Sequence, residues 1–242
     1  MRQTTIRGND CLPNVFPLQK GFIDKAWHRP FLDPGDVDNN YTKTTIGGAT
    51  DGDVTISATG HVGGSLRFAN NSTDDDSGAL LRGLATVKAA SREVTLAQSY
   101  GVGGVSDATE CDLWLGWGVA DTDAVGGITD FVGFRKVDGS TAVQAVLIRN
   151  GSDVVAATVY TLVAATPVAL SIHVQVKEDG TGVTSWFVNG RCVKTYVSTI
   201  HPLSEEFFAG LIQWQTGAGA AQTFDLCLDE GCFSFELVSS AS

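Results

Sequence analysis

Val168-Ala169-Leu170-Ser171-Ile172-His173-Val174-Gln175-Val176-Lys177 opens the stretch whose reading decides the fold. Val168, Leu170, Ile172, Val174 and Val176 alternate with Ala169, Ser171, His173, Gln175 and Lys177. A side-chain period of two is that of a strand with one face in a core and the other toward water. The turn residues Glu178-Asp179-Gly180-Thr181-Gly182 follow, then Val183 to Val188, the pair Asn189-Gly190, and Arg191 to Val197. Asn-Gly between two such runs predicts a type I′ hairpin, because both central residues of that turn need positive φ. Three antiparallel strands are therefore written out almost completely.

Outward from this segment the text repeats the same grammar. Val54–Ala58 and Ser65–Ala69 flank Gly63-Gly64, and Ala79–Val87, Arg92–Tyr100 and Cys111–Ala120 come next. Phe131–Val137 turns at Asp138-Gly139 into Thr141–Arg149, which meets Asn150-Gly151 and Val154–Leu162. Phe208–Trp214, Gln222–Leu228 and Cys232–Val238 close the series. About thirteen strands with turn signals every 8–12 residues predict an all-β protein, a sandwich or a closed barrel. Pro202-Leu203-Ser204-Glu205-Glu206 holds one short turn of helix. No internal repeat supports a propeller or β-helix, and the strand number favours two packed antiparallel sheets, a jelly roll.

Residues 1–45 differ in kind. Four of the six prolines (Pro13, Pro17, Pro30, Pro34) lie there among Phe16, Phe22, Trp27 and Phe31. Proline removes ladder donors, so regular strands are not expected, yet the aromatics require burial. The expected division is an extended arm over 1–45 and a β-sandwich over 46–242. The four aromatics are the expected interface residues, set against a neighbouring subunit or against the arm's own sheet.

Composition bounds the function. The chain has 27 acidic and 16 basic residues, a net charge of −11, which excludes a phosphate-backbone binder and gives no nucleic-acid partner. No run of 18 apolar residues spans a membrane, and Met1-Arg2-Gln3-Thr4-Thr5 does not read as a signal peptide. The five cysteines (Cys11, Cys111, Cys192, Cys227, Cys232) are scattered without a C-x-x-C pair. They read as free thiols of a reducing compartment, with Cys192 and Cys227 small buried hydrophobes and a Cys227–Cys232 bridge left open.

No catalytic constellation emerges. Asp225-Leu226-Cys227-Leu228-Asp229-Glu230 is the nearest approach to a glycosidase strand, but Cys227 sits at its centre. Its outer carboxylates would stand about 13 Å apart, against about 5 Å for a retaining enzyme. His28, His61, His173 and His201 show no metal or nucleophile-activating spacing, and His173 is expected on the polar face of its strand. No cofactor is expected. The only candidate metal ligands are Asp74, Asp76, Asp121 and Asp123, hard oxygen donors suited to calcium. The simpler reading of these runs is a solvated acidic turn. Trp117 shares a face with Leu113 and Leu115 and is expected in the core. Trp114 points the other way and is the candidate glycan contact.

Trp186-Phe187-Val188-Asn189-Gly190 with Arg191-Cys192-Val193 resembles the Val-Asn-Gly hairpin of concanavalin-like and laminin-G-like jelly rolls. Upstream stand Gly63-Gly64-Ser65-Leu66-Arg67-Phe68, then Asp74-Asp75-Asp76, then Leu115-Gly116-Trp117-Gly118 with Asp121-Thr122-Asp123, then Phe131 to Gly139. This order resembles such domains in virion proteins of tailed phages, over roughly residues 50–238. The resemblance implies a non-enzymatic structural protein of the particle, a decoration or cement protein on the capsid surface, made in the host cytoplasm. Its implied partners are the major capsid protein and further copies of itself, with a trimer as one arrangement. The alternative is a carbohydrate-binding, lectin-like module of a tail fibre or receptor-binding protein, with glycans as partners.

Overall fold

The computed structural model describes residues 41–46, 54–59, 65–70, 78–90, 93–119, 128–216, 222–227 and 233–238. These form fifteen strands and one helical turn. In chain order they are β1 (Tyr41–Ile46), β2 (Val54–Thr59), β3 (Ser65–Asn70), β4 (Gly78–Val87) and β5 (Glu93–Val105). Then follow β6 (Cys111–Val119), β7 (Phe131–Lys136), β8 (Ala142–Arg149), β9 (Ser152–Thr161) and β10 (Val168–Val176). The series ends with β11 (Gly182–Val188), β12 (Arg191–Ser198), α1 (Pro202–Glu205), β13 (Phe208–Thr216), β14 (Gln222–Cys227) and β15 (Phe233–Val238).

Two antiparallel sheets stack face to face. One has seven strands in the order β1-β4-β13-β6-β7-β8-β9. The other has eight, β12-β11-β10-β5-β14-β3-β2, with β15 also on β5. The thirteen-residue β5 has room for both on one flank: β14 pairs with Gly101–Val105 and β15 with Glu93–Gln98. The pairing of β1 with β4 moves the start of the sandwich to Tyr41, earlier than the expected boundary at 46. Tyr41 is itself buried in the core, so the prolines upstream do not weaken this strand.

The hairpin at Asn189-Gly190 has φ of 49° and 77°, the two positive values that the type I′ reading requires. It sets β11 beside β12, and β10 joins β11 through the Lys177–Thr181 turn, so that Ile172 lies opposite Trp186. The core between the sheets takes Leu170, Ile172 and Val174 from β10, Leu96 and Tyr100 from β5, and Trp186 from β11. Facing them are Leu113, Leu115 and Trp117 of β6, Phe134 of β7 and Trp214 of β13. Trp117 is in the core, as its alternation with Trp114 predicts.

Two hydrogen bonds cross this core. The Trp186 indole N–H donates to the Gly133 carbonyl at 2.8 Å, and the Tyr100 hydroxyl to the Gly116 carbonyl at 3.3 Å. Gly116 and Gly133 are register partners on β6 and β7, and neither tolerates a Cβ. One placed on Gly133 would stand 2.3 Å from the Leu115 carbonyl and 2.5 Å from the Phe131 ring. The Phe131 side chain thus lies in the space these glycines leave.

The free edges β9 and β12 both carry register shifts against their partners. Bulges of this kind twist an edge and discourage strand-to-strand association.

Candidate functional site

The outward face of the eight-stranded sheet is polar at its centre. Register aligns Thr195, Ser185, His173 and Ala97 across β12, β11, β10 and β5. The neighbouring rungs carry Ser171 beside Ser99, and Gln175 beside Thr95. Ser99 donates to Ser171 at 2.9 Å, and the Gln175 amide donates to the Glu93 carboxylate at 2.8 Å. The Ser185 and Thr195 hydroxyls lie 3.2 Å apart. These groups arise from the alternation that buries Ile172 and Val174 on the other side.

His173 lies on the outward face of β10, as expected, and is half-buried because β10 is flanked by strands on both sides. Burial pushes its pKa below the ordinary value, which favours the neutral ring. Cys192, expected to be buried, is exposed on the edge strand β12, with its Sγ 3.4 Å from the Thr195 hydroxyl. At the end of the same face Val197 is 66% exposed beside Val183. The Ser185 and Thr195 hydroxyls, the Gln175 amide and the Glu93 carboxylate can pair with a polyhydroxylated ligand, whereas Ser99 and Ser171 are buried. The chemistry of this surface is hydrogen bonding, without a charge cluster.

The outward face of the seven-stranded sheet is a different environment. Trp114 does point outward, but it is only 8% exposed. Its ring meets Phe131 edge-on at 5.1 Å, and the Arg135 guanidinium lies 5.4 Å above it. Arg135 in turn donates to Gln144 at 3.0 Å and pairs with Asp153 at 2.8 Å. This burial corrects the reading of Trp114 as an open platform for a sugar ring. Alternation alone gave the direction of the side chain and not what lies over it.

Two buried polar groups are structural. Lys136 on β7 is fully buried, and its ammonium donates to the Thr109 carbonyl at 2.5 Å and to that of Cys111. It thereby ties the β5–β6 connection to β7. Burial pushes the Cys111 thiol up to about 11, with Lys136 pulling the other way. At that value the thiol is protonated at neutral pH and is a poor nucleophile. His201 caps α1: its Nδ1 accepts the Leu203 N–H at 3.2 Å, which leaves the proton on Nε2, 3.2 Å from the Thr184 hydroxyl. Desolvation lowers the His201 pKa to about 3. Nothing in the sequence marks Lys136 or His201 as buried; both follow strand or turn residues that read as exposed.

Phe16, Phe22, Trp27 and Phe31 lie outside the described residues, as do Asp74, Asp76, Asp121, Asp123 and Cys232. The strand ends that flank the aspartates are described. Asn70 and Gly78 stand beside Gln222 and Gln215 at one end of the sandwich, while Val119 stands beside Phe208 at the other. Among the described residues no group of three His, Cys, Asp or Glu side chains is placed to hold a metal ion.

No protein-family model matches the chain, and no curated protein matches it by sequence. Solved structures do match. The endo-1,3-beta-glucanase from Streptomyces sioyaensis aligns with a TM-score of 0.53 at 11% identity, over 83% of this chain and 90% of its own. Peanut lectin aligns at 0.50 and 11% identity, over 83% and 99%. The carbohydrate recognition domain of Emp46p, as its Y131F mutant, aligns at 0.50 and 10% identity, over 82% and 88%. The fold is a concanavalin-like jelly roll. At these identities the likeness is one of fold.

Proposed function

We propose that this domain is a non-catalytic recognition module that binds carbohydrate on the outward face of its eight-stranded sheet. The observation that carries the reading is the row Thr195, Ser185 and His173 with the Gln175–Glu93 pair beside it, while the buried Ser99–Ser171 pair, 5% exposed at each residue, fixes the neighbouring rung. Sugars present hydroxyls that both donate and accept, and every group in this row is uncharged and does the same, save the Glu93 acceptor. Val197 beside Val183 supplies an apolar margin for the C–H face of a ring. Strands hold these groups at fixed spacing, so little ordering is needed on binding. The shared fold of peanut lectin and of the Emp46p carbohydrate recognition domain is consistent with this role.

The test is a glycan array on the full chain, followed by titration of the best ligand against His173→Ala and Gln175→Ala. Loss of binding in both variants, with unchanged melting temperature, supports the reading. Undiminished binding in both refutes it.

A second reading is a decoration protein of a viral particle. It is favoured by the order of motifs from Gly63 to Gly139 and on to the Trp186–Val193 hairpin, which resembles that of tailed-phage virion domains. Co-sedimentation of the purified protein with particles that lack it separates this role from glycan recognition. Saturable attachment supports decoration, and its absence removes it.

A further inference from the structure

Val197 on β12 is 66% exposed, the highest value for a large apolar side chain among the described residues. A lone exposed valine is ordinary on a protein surface. Val197 is not alone. Register sets it opposite Val183 on β11, Val183 opposite Gln175 on β10, and Gln175 opposite Thr95 on β5. All four point away from the core, since Tyr196, Thr184, Val176 and Val94 next to them turn inward. The next rung of the same face carries Thr195, Ser185 and His173. An apolar pair therefore closes the β12 end of one rung. Hydroxyls flank it on the rung beside it, and the Gln175 amide, bonded to Glu93 at 2.8 Å, flanks it on β10.

Strand geometry fixes the scale. Val183 lies ~4.8 Å from Gln175 across the sheet and roughly 7 Å from Ser185 along β11, distances that one sugar ring bridges. Farther along the same face the surface is closed, with Ala97 8% exposed and Ser99 and Ser171 buried. Phe187 points the same way but is 4% exposed. Among the described residues, then, β5, β10, β11 and β12 offer no open aromatic ring on this face for a pyranose to stack on. Two β-branched side chains present a narrow, uneven apolar surface instead. A projecting methyl group makes closer contact with such a surface than the C–H groups of the ring itself.

Resting on carbohydrate recognition by this face, we propose that the sugar it selects bears a methyl group, as a 6-deoxyhexose or an N-acetylhexosamine does, and that Val197 and Val183 seat this methyl. The ring hydroxyls, or the N–H and carbonyl of an acetamido group, then meet Thr195, Ser185 and the Gln175 amide. The valine pair determines specificity, while the polar groups supply the pairing that hexoses have in common.

The test is NMR titration of the full chain, with valine methyl groups labelled, against matched sugars. The pairs are L-fucose with L-galactose, L-rhamnose with L-mannose, and N-acetylglucosamine with glucose. The first two exchange a methyl for a hydroxymethyl group and the third adds the acetamido group, so the panel separates the two sources of the methyl. Burying one such carbon contributes about fourfold in affinity. The expected result is a preference of about that size for the methyl-bearing member of at least one pair, with shifts at the Val197 and Val183 methyl resonances. Val197→Thr, of equal size at an exposed position, should abolish the preference and leave the melting temperature unchanged. Binding without preference in every pair, a preference that Val197→Thr keeps, or no binding by any of these sugars overturns the methyl seat. An array on which no glycan binds, or binding indifferent to both His173→Ala and Gln175→Ala, overturns the reading beneath it as well.

Discussion

The Trp186 indole on β11 donates its N–H to the Gly133 carbonyl on β7 at 2.8 Å, across the space between the two sheets. The donor sits in the hairpin whose sequence decides the fold, and the acceptor sits at a position where a Cβ does not fit. One bond therefore joins the most legible element to the least forgiving one. Trp186→Phe keeps a large apolar ring but removes the donor and part of the volume. A loss of about 2–4 kcal/mol in unfolding free energy is expected from the bond and the cavity together. Urea denaturation checks it, and a loss below about 0.5 kcal/mol means the contact carries no weight.

Gly133→Ala attacks the same place from the other side. Its Cβ would meet the Leu115 carbonyl at 2.3 Å and Phe131 at 2.5 Å, and backbone cannot yield as a side-chain tip does. We expect a larger loss than for Trp186→Phe. Gly133→Ala combined with Phe131→Leu should recover only part of it, since the carbonyl clash stays. Full recovery would place the whole cost in the Phe131 ring.

Ile172→Asp puts an unpaired carboxylate in the core beside Trp186 and should cost several kcal/mol. His173→Asp, one residue later on the half-buried outward face, should cost clearly less. Thermal melts of the two variants decide it. Equal losses would mean that the outward face is as intolerant of charge as the core.

The strands were legible because apolar and polar residues alternate at a period of two and because Asn-Gly pairs mark the hairpins. β10 and the Asn189-Gly190 turn follow this grammar without exception. β1 did not, since Tyr41 to Ile46 carries only two apolar residues and follows a proline-rich stretch. Period-two reasoning also assumes one wet face. It therefore misplaced Trp114, whose strand β6 is buried on both sides, and Cys192, whose strand is an edge. The buried ammonium of Lys136 depends on carbonyls 25 and 27 residues away, and local pattern does not report such a partner. The polar row around His173 was visible as a face, but which residues stand beside it came only from the register.

The His201 cap makes stability fall in acid. Its folded pKa of about 3 lies below the ordinary value of 6.5, so the native state holds the neutral ring and the unfolded chain binds the proton first. The stabilisation is complete above about pH 6.5 and is lost progressively as pH falls toward 3, at about 1.4 kcal/mol per pH unit. His201→Asn keeps an oxygen acceptor for the Leu203 N–H and should flatten that part of the profile. Urea unfolding between pH 7 and pH 4 checks the slope, and an unchanged slope in the variant would assign the acid loss to other groups.

The most direct test of carbohydrate recognition by the eight-stranded sheet is calorimetric titration of the array-selected glycan into wild type and His173→Ala, with and without chelator. Wild type is expected to bind equally well in both conditions, because the row at Thr195, Ser185 and His173 uses no metal, and His173→Ala to lose at least tenfold in affinity while its melting temperature holds. Binding that disappears with chelator and is untouched by His173→Ala would contradict it and move the site to the connectors that hold Asp74 and Asp76 or Asp121 and Asp123.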